Sequence, residues 1–89
     1  MIHELKTTPK YFAMVFAGTK NFDVRKNDRD FKIGDELLLK EYDNGKYSDH
    51  SDSCNRHTGR ILHRRIDYVL HGGQLGIEEG YCVMSLSRI

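Results

Sequence analysis

The sequence predicts an α+β domain that is mainly β: about five to six mostly antiparallel strands curled into a small barrel, with one main helix near the N-terminus. Three observations carry this. Apolar and polar residues alternate in short stretches, at Ile2–Lys6, Asn21–Lys26 and Tyr81–Leu86. One segment after Pro9 places apolar residues at helical spacing instead. A chain of 89 residues makes one domain, residues 1–89, and a chain this short buries only about 60–65% of the surface its unfolded form exposes. Closing the sheet removes the strand edges that a small open sheet would present.

The elements follow in order. Ile2–Lys6 is a short first strand. Thr8 is the candidate cap of the helix, and Pro9 suits its first turn because the missing N–H would have no partner there. Phe12, Val15 and Phe16, with Tyr11 beside them, form the apolar stripe and are expected in the core. Gly18 ends the helix. In the strand Asn21–Lys26, Phe22 and Val24 are expected to face the core, which puts Asp23 and Arg25 together on the opposite side. Phe31 and Ile33 are expected to anchor the end of a basic loop, and Gly34-Asp35 is a turn into the strand Glu36–Tyr42. The polar stretch Asp43–Thr58 lacks periodicity and reads as an exposed loop. Gly59–His71 is a long strand with Ile66, Tyr68 and Leu70 in phase. His71-Gly72-Gly73-Gln74-Leu75-Gly76 is a glycine-rich loop. In the last strand, Cys82, Met84 and Leu86 share one face, and Tyr81, Val83 and Ser85 the other.

Composition narrows the function. The chain carries 14 Lys and Arg against 13 Asp and Glu, a net charge of +1. Such a balance argues against strong electrostatic binding of duplex DNA, which rewards a large basic excess. No apolar run approaches the ~18 residues that span a membrane. The N-terminal residues lack the layout of a secretion signal, so the expected location is the cytoplasm. There the two cysteines, Cys54 and Cys82, stay reduced.

The cations are clustered, and this is the functional signal. Lys20, Arg25, Lys26, Arg29 and Lys32 fall in one segment, with Asp23, Asp28 and Asp30 among them. Lys20 sits at the entrance of the strand that carries Asp23 and Arg25, so two cations and one carboxylate can converge on one spot. Arg25 is suited to a bidentate grip on a phosphate or a base edge, and Asp23 to orienting it. Lys26 and Arg29 extend the basic surface along a single strand of nucleic acid. Gln74 offers a donor and an acceptor to a base edge. The competing reading of the same cluster is a salt-bridged turn. His50, Cys54, His57 and His63 lack the paired spacing of a structural zinc site, so no metal and no cofactor are expected.

The pattern Gly18-x-Lys20-x-x-Asp23-x-Arg25 resembles the glycine–lysine–glutamate–arginine signature of ASCH domains in the PUA-like superfamily. Phe31-Lys32-Ile33-Gly34-Asp35-Glu36-Leu37 resembles a second segment of that fold. The run Tyr68–Val83 is similar to a small bacterial and phage branch of it. The resemblance implies a PUA-like pseudo-barrel that binds RNA or a nucleotide-like ligand, with Lys20, Asp23, Arg25, Lys26, Arg29 and Gln74 at the site, and a role in RNA metabolism or translation. Some relatives are amidohydrolases on acylated cytidine. Their lysine falls on Lys20, and their threonine nucleophile falls on Asp23, which cannot replace a hydroxyl. A binding module is therefore favoured. Were the protein an enzyme, Lys20 with Glu78 or Glu79 would be the catalytic candidates. A third reading is a protein-interaction module that binds no nucleic acid. Oligomeric state is left open.

Overall fold

A computed structural model describes residues 1–44 and 55–89. Strands β1 (Ile2–Thr7), β2 (Phe22–Lys26), β3 (Glu36–Asn44), β4 (Asn55–His71) and β5 (Tyr81–Arg88) form one sheet, and a helix, α1 (Pro9–Phe16), follows β1. The spatial order of the five strands is β1-β3-β4-β5-β2. β3–β4, β4–β5 and β5–β2 are antiparallel, whereas β1 and β3 are parallel. The sheet curls, but β1 and β2 remain its two edges. The expected barrel is therefore not closed by a backbone ladder. Side chains bridge the gap instead.

The core is the concave side of this sheet under α1. Leu5, Val15, Leu37, Leu39, Ile66, Cys82, Met84 and Leu86 pack there. The alternation expected for β5 is present, with Cys82, Met84 and Leu86 buried. The long strand β4 departs from its simple period. Its pairing with β5 shifts between Ile66 and Tyr68. The extra residue turns the following side chains over, so Ile66 and Val69 are buried while Tyr68 is exposed. Tyr68 and Leu70 are thus not in phase with Ile66.

A second irregularity shapes the opposite end of β4. Its pairing with β3 shifts between Lys40 and Tyr42. Thr58, Gly59 and Arg60 are left facing Glu41, with Gly59 at a positive φ of 95°. Glu41 is in phase with Leu37 and Leu39 and is buried with them. Its charge is met by Arg60, which donates from Nε and Nη2 at 3.0 Å each, and by the Thr58 hydroxyl at 2.6 Å. The Arg60 guanidinium lies 4.9 Å from the ring centre of Phe12 in α1. This cluster seats the helix on the sheet. Both β3 and β4 extend beyond the expected limits, taking residues 43–44 and 55–58 from the expected loop; the rest of that loop, with His50 and Cys54, lies outside the described residues.

Three further expectations are corrected. Thr8 occupies the N-cap position, but its side chain makes no capping bond. Of the predicted helical stripe only Phe12 and Val15 are buried; Tyr11 and Phe16 are exposed, because an eight-residue helix presents little more than two turns to the sheet. Phe31 is buried as expected, while Ile33 in the adjoining turn is exposed.

Candidate functional site

The link from α1 to β2 is set by the way the helix ends. Gly18 adopts a φ of 81°, a conformation that costs glycine little. The N–H groups of Thr19 and Lys20 then both turn back to the carbonyl of Met14, at 3.0 and 3.1 Å. Asn21 adds a side-chain bond to the carbonyl of Gly18 at 3.0 Å. Four residues of connecting chain are thereby fixed, and Lys20 is aimed along β2 rather than into solvent.

β2 presents the face opposite to the expected one. Its register sets Asp23 against Met84 and Arg25 against Cys82, and cross-strand partners share a face. Asp23 and Arg25 therefore point to the interior side, and Asp23 is buried. Phe22 and Val24 turn outward and are about half exposed. The inversion is physically possible because Asp23 is neutralised from both sides. Lys20 Nζ donates to its Oδ1 at 3.3 Å, and Arg25 Nε donates to its Oδ2 at 2.8 Å. An unpaired carboxylate at this depth would be far costlier.

Arg25 reaches further. Its Nη2 donates to the carbonyl of Lys6 at 2.9 Å and to the Thr7 hydroxyl at 3.1 Å. Arg29, in the loop after β2, donates from Nη1 to the carbonyl of Glu4 at 2.8 Å. Both arginines thus bridge from the β2 side to the free edge of β1. Among the described residues Arg25 Nη1 keeps no partner, and Lys20, which also donates to the carbonyl of Phe22 at 2.9 Å, retains one N–H. These are donors available to a ligand.

They line a cleft of about 620 Å³ between α1, the end of β1 and β2, whose other walls include Tyr11, Met14, Phe22 and Val24. Its volume falls in the usual range for small-molecule sites, about 300–1,000 Å³. Lys20 Nζ lies 5.2 Å from the ring centre of Tyr11 and 5.0 Å from that of Phe22. The sequence placed both aromatics in the core; both border the cleft instead. Thr7 and Thr8 also stand at its wall; the sequence marked Thr8 as a helix cap and neither as a site residue. The Cys82 thiol, beneath Asp23 on β5, is pushed up from its ordinary pKa by burial and by the nearby negative charge, so it is a packing residue rather than a nucleophile.

The remaining sequence candidates scatter. Arg29 borders a second, adjoining basin. Lys26 is exposed at the far end of β2. Gln74 is exposed in the β4–β5 connection, where its amide donates to the carbonyl of His71 at 3.0 Å. Glu78 and Glu79 are exposed in the same connection. None of these last four lines either hollow. His57 packs edge-on against Tyr42 at 5.0 Å, and His63 bonds to Glu36. Among the described residues no three His, Cys, Asp or Glu side chains are grouped as metal ligands. Nor is any helix among the described residues long and apolar enough to cross a membrane.

The class of protein that these features define is a small domain with a curled sheet and a short helix, its cleft floored by a Lys–Asp–Arg network. The chain belongs to the family DUF3850, described as a domain of unknown function, which matches residues 2–86. It is similar to the "Uncharacterized 12.9 kDa protein in GpA 3'region" of Escherichia phage P2, with 43% identity over 68 residues. That match takes in 76% of this chain and 53% of the phage protein, so the chain spans about half the length of that curated relative.

Proposed function

We propose that this domain binds a planar, nucleobase-like group, carried by a nucleotide or by RNA, in the cleft between α1 and β2. The observation that supports the reading is the convergence of Lys20, Asp23 and Arg25 on one hollow of about 620 Å³ with aromatic and apolar walls. Tyr11 and Phe22 offer surfaces on which a base can stack. Lys20 and Arg25 supply N–H donors held in place by bonds they already make, which reduces the ordering cost of binding. The near-neutral net charge of +1 suits recognition of one or two nucleotides better than wrapping of a long polyanion. In this reading the Gly18–Arg25 segment serves as it would in an ASCH domain, and the curled sheet is a PUA-like pseudo-barrel acting in RNA metabolism or translation.

Binding is preferred over hydrolysis of a modified nucleoside because Glu78 and Glu79 lie outside the cleft, which leaves Lys20 without either as an acid–base partner. The test is a calorimetric titration of the wild type and Lys20→Gln with a panel of nucleosides, nucleotides and short RNAs. The reading expects at least one ligand whose affinity falls about tenfold or more in the variant, the loss of a charge-assisted hydrogen bond. Equal affinity in the two proteins, or no ligand in the panel, overturns it.

A further inference from the structure

The cleft does not end at Arg25. A second basin of about 440 Å³ adjoins it along the gap between β1 and β2, and the two share Lys6 and Arg25 as common walls. The second basin is different in character. Among the described residues, Lys6, Arg25, Arg29, Lys40 and His57 stand around it, with Glu4 as the one carboxylate. Four permanent cations thus face one anion, in a protein whose charges otherwise nearly cancel. Among the described residues no aromatic side chain but the imidazole lines it.

The cations are also held in position. Arg29 is tied by one Nη1 bond to the Glu4 carbonyl, and its Nη2 and Nε have no partner among the described residues. Lys40 pairs with Glu4, so the single carboxylate is already engaged. Lys6 rests its ammonium 4.5 Å from the ring centre of Tyr42, and His57 packs in an edge contact with the same ring. Arg25 Nη1 remains available at the boundary. Several N–H donors on converging cations, in a hollow rather than on a flat face, make a receptor for a tetrahedral oxyanion.

We propose that the basin bounded by Arg25, Arg29, Lys40, Lys6 and His57 is a phosphate subsite contiguous with the base-sized cleft. The ligand is then a phosphorylated nucleotide unit, either a mononucleotide or a phosphodiester step of RNA, and not a free base or nucleoside. This rests on the reading of the first cleft as a base site for the ligand's identity, but the phosphate subsite stands or falls on its own residues. Arg25 has a double part: it borders both hollows and orients the two halves of the ligand relative to each other.

The experiment is a calorimetric titration with five probes: a nucleoside, its 5′- and 3′-monophosphates, the corresponding dinucleoside monophosphate, and inorganic pyrophosphate. Each is measured against the wild type, Arg29→Gln and Lys40→Gln, with a thermal melt on every protein. Lys40→Gln guards against a folding defect in Arg29→Gln, since Lys40 is a solvent-side partner of Glu4 and holds no backbone carbonyl. The expected result is a gain of about ten- to hundredfold in affinity from the phosphate, steepening of the salt dependence, and loss of that gain in both variants while nucleoside affinity is unchanged. Preference for a monophosphate identifies a free nucleotide; preference for the dinucleoside monophosphate identifies RNA. Equal binding of nucleoside and nucleotides overturns the subsite and leaves the base site standing. Pyrophosphate binding that depends on Arg29 and Lys40, without any nucleoside binding, upholds the subsite and removes the base site. Binding of no probe overturns both.

Discussion

Arg25 Nη2 donates to the carbonyl oxygen of Lys6 at 2.9 Å, across 19 residues of sequence, and so joins the two edges of the sheet. The same guanidinium holds Asp23 at 2.8 Å. One side chain therefore takes part both in bridging the β1–β2 gap, beside Arg29, and in the floor of the candidate cleft.

Arg25→Ala removes the bridge and leaves Asp23 with Lys20 alone. Because Arg25 is partly exposed and Asp23 is buried, the expected loss is about 1–3 kcal/mol, below that for breaking a fully buried pair. Arg25→Lys keeps the charge but not the three-way fork and recovers less than half of the loss. Denaturant unfolding of both variants measures this.

Acid weakens the fold through carboxylates that the folded state holds ionised, Asp35 and Glu41 among them. The Asp35 carboxyl is held below its ordinary pKa chiefly by its hydrogen bond from His3, with help from the N-terminal amine and the Lys32 N–H, against the opposing effect of burial. Glu41 is held down chiefly by Arg60, then by Thr58. A carboxyl with a depressed folded-state pKa binds its proton more readily when unfolded. Its contribution is complete above the unfolded value, about 4, and is lost as pH falls through the lower folded value. Urea midpoints are expected to be flat from neutrality to about pH 5 as far as these two groups are concerned. They then fall, and the fall is shallower in Asp35→Asn and Glu41→Gln.

Phe12 is 1% exposed and carries the Arg60 guanidinium on its ring. Phe12→Ala is expected to cost about 3–5 kcal/mol. Phe12→Leu is expected to cost roughly a third to a half of that, because most of the volume is kept. Thermal melts distinguish the two, and near-identical values would mean that the pocket under α1 collapses freely.

Gly72 and Gly34 separate two reasons for glycine. A Cβ on Gly72 would overlap the carbonyl oxygen of Glu78, a backbone clash that no rotamer relieves. A Cβ on Gly34 would touch nothing, but the residue has a φ of 92°. Gly34→Ala is expected to cost about 1 kcal/mol, and Gly72→Ala clearly more, with the β4–β5 turn rebuilt. Amide chemical shifts of residues 72–81 report the rebuilding.

What could be read from the residues was local. Pro9 and Gly18 mark the ends of α1, and the β5 alternation puts Cys82, Met84 and Leu86 inward. The convergence of Lys20, Asp23 and Arg25 was legible from a period of two and a short turn. The side to which they converge was not. Phe22-Asp23-Val24-Arg25 alternates equally well with either set inward, and only the register against Met84 and Cys82 decides. The phase of Tyr68 failed for a related reason: one inserted residue reverses a strand's faces, and the Ile66/Tyr68 shift has no composition of its own. The roles of Lys6, Lys40 and His57 lie further beyond reach, since they meet Arg29 only through the parallel pairing of β1 with β3 and the return of β4.

The strand order also says how the molecule is put together in time. β3, β4 and β5 are consecutive in the chain and antiparallel neighbours, so they pair as a meander with modest loop closure. β1 and β2 attach on opposite flanks, and β1 must travel past α1 and β2 to find β3. Non-local partners of this kind are the slow contacts in folding. The gap between the outer strands, where the arginines reach across, is therefore expected to form late, and a ligand held there needs both flanks of the sheet in place.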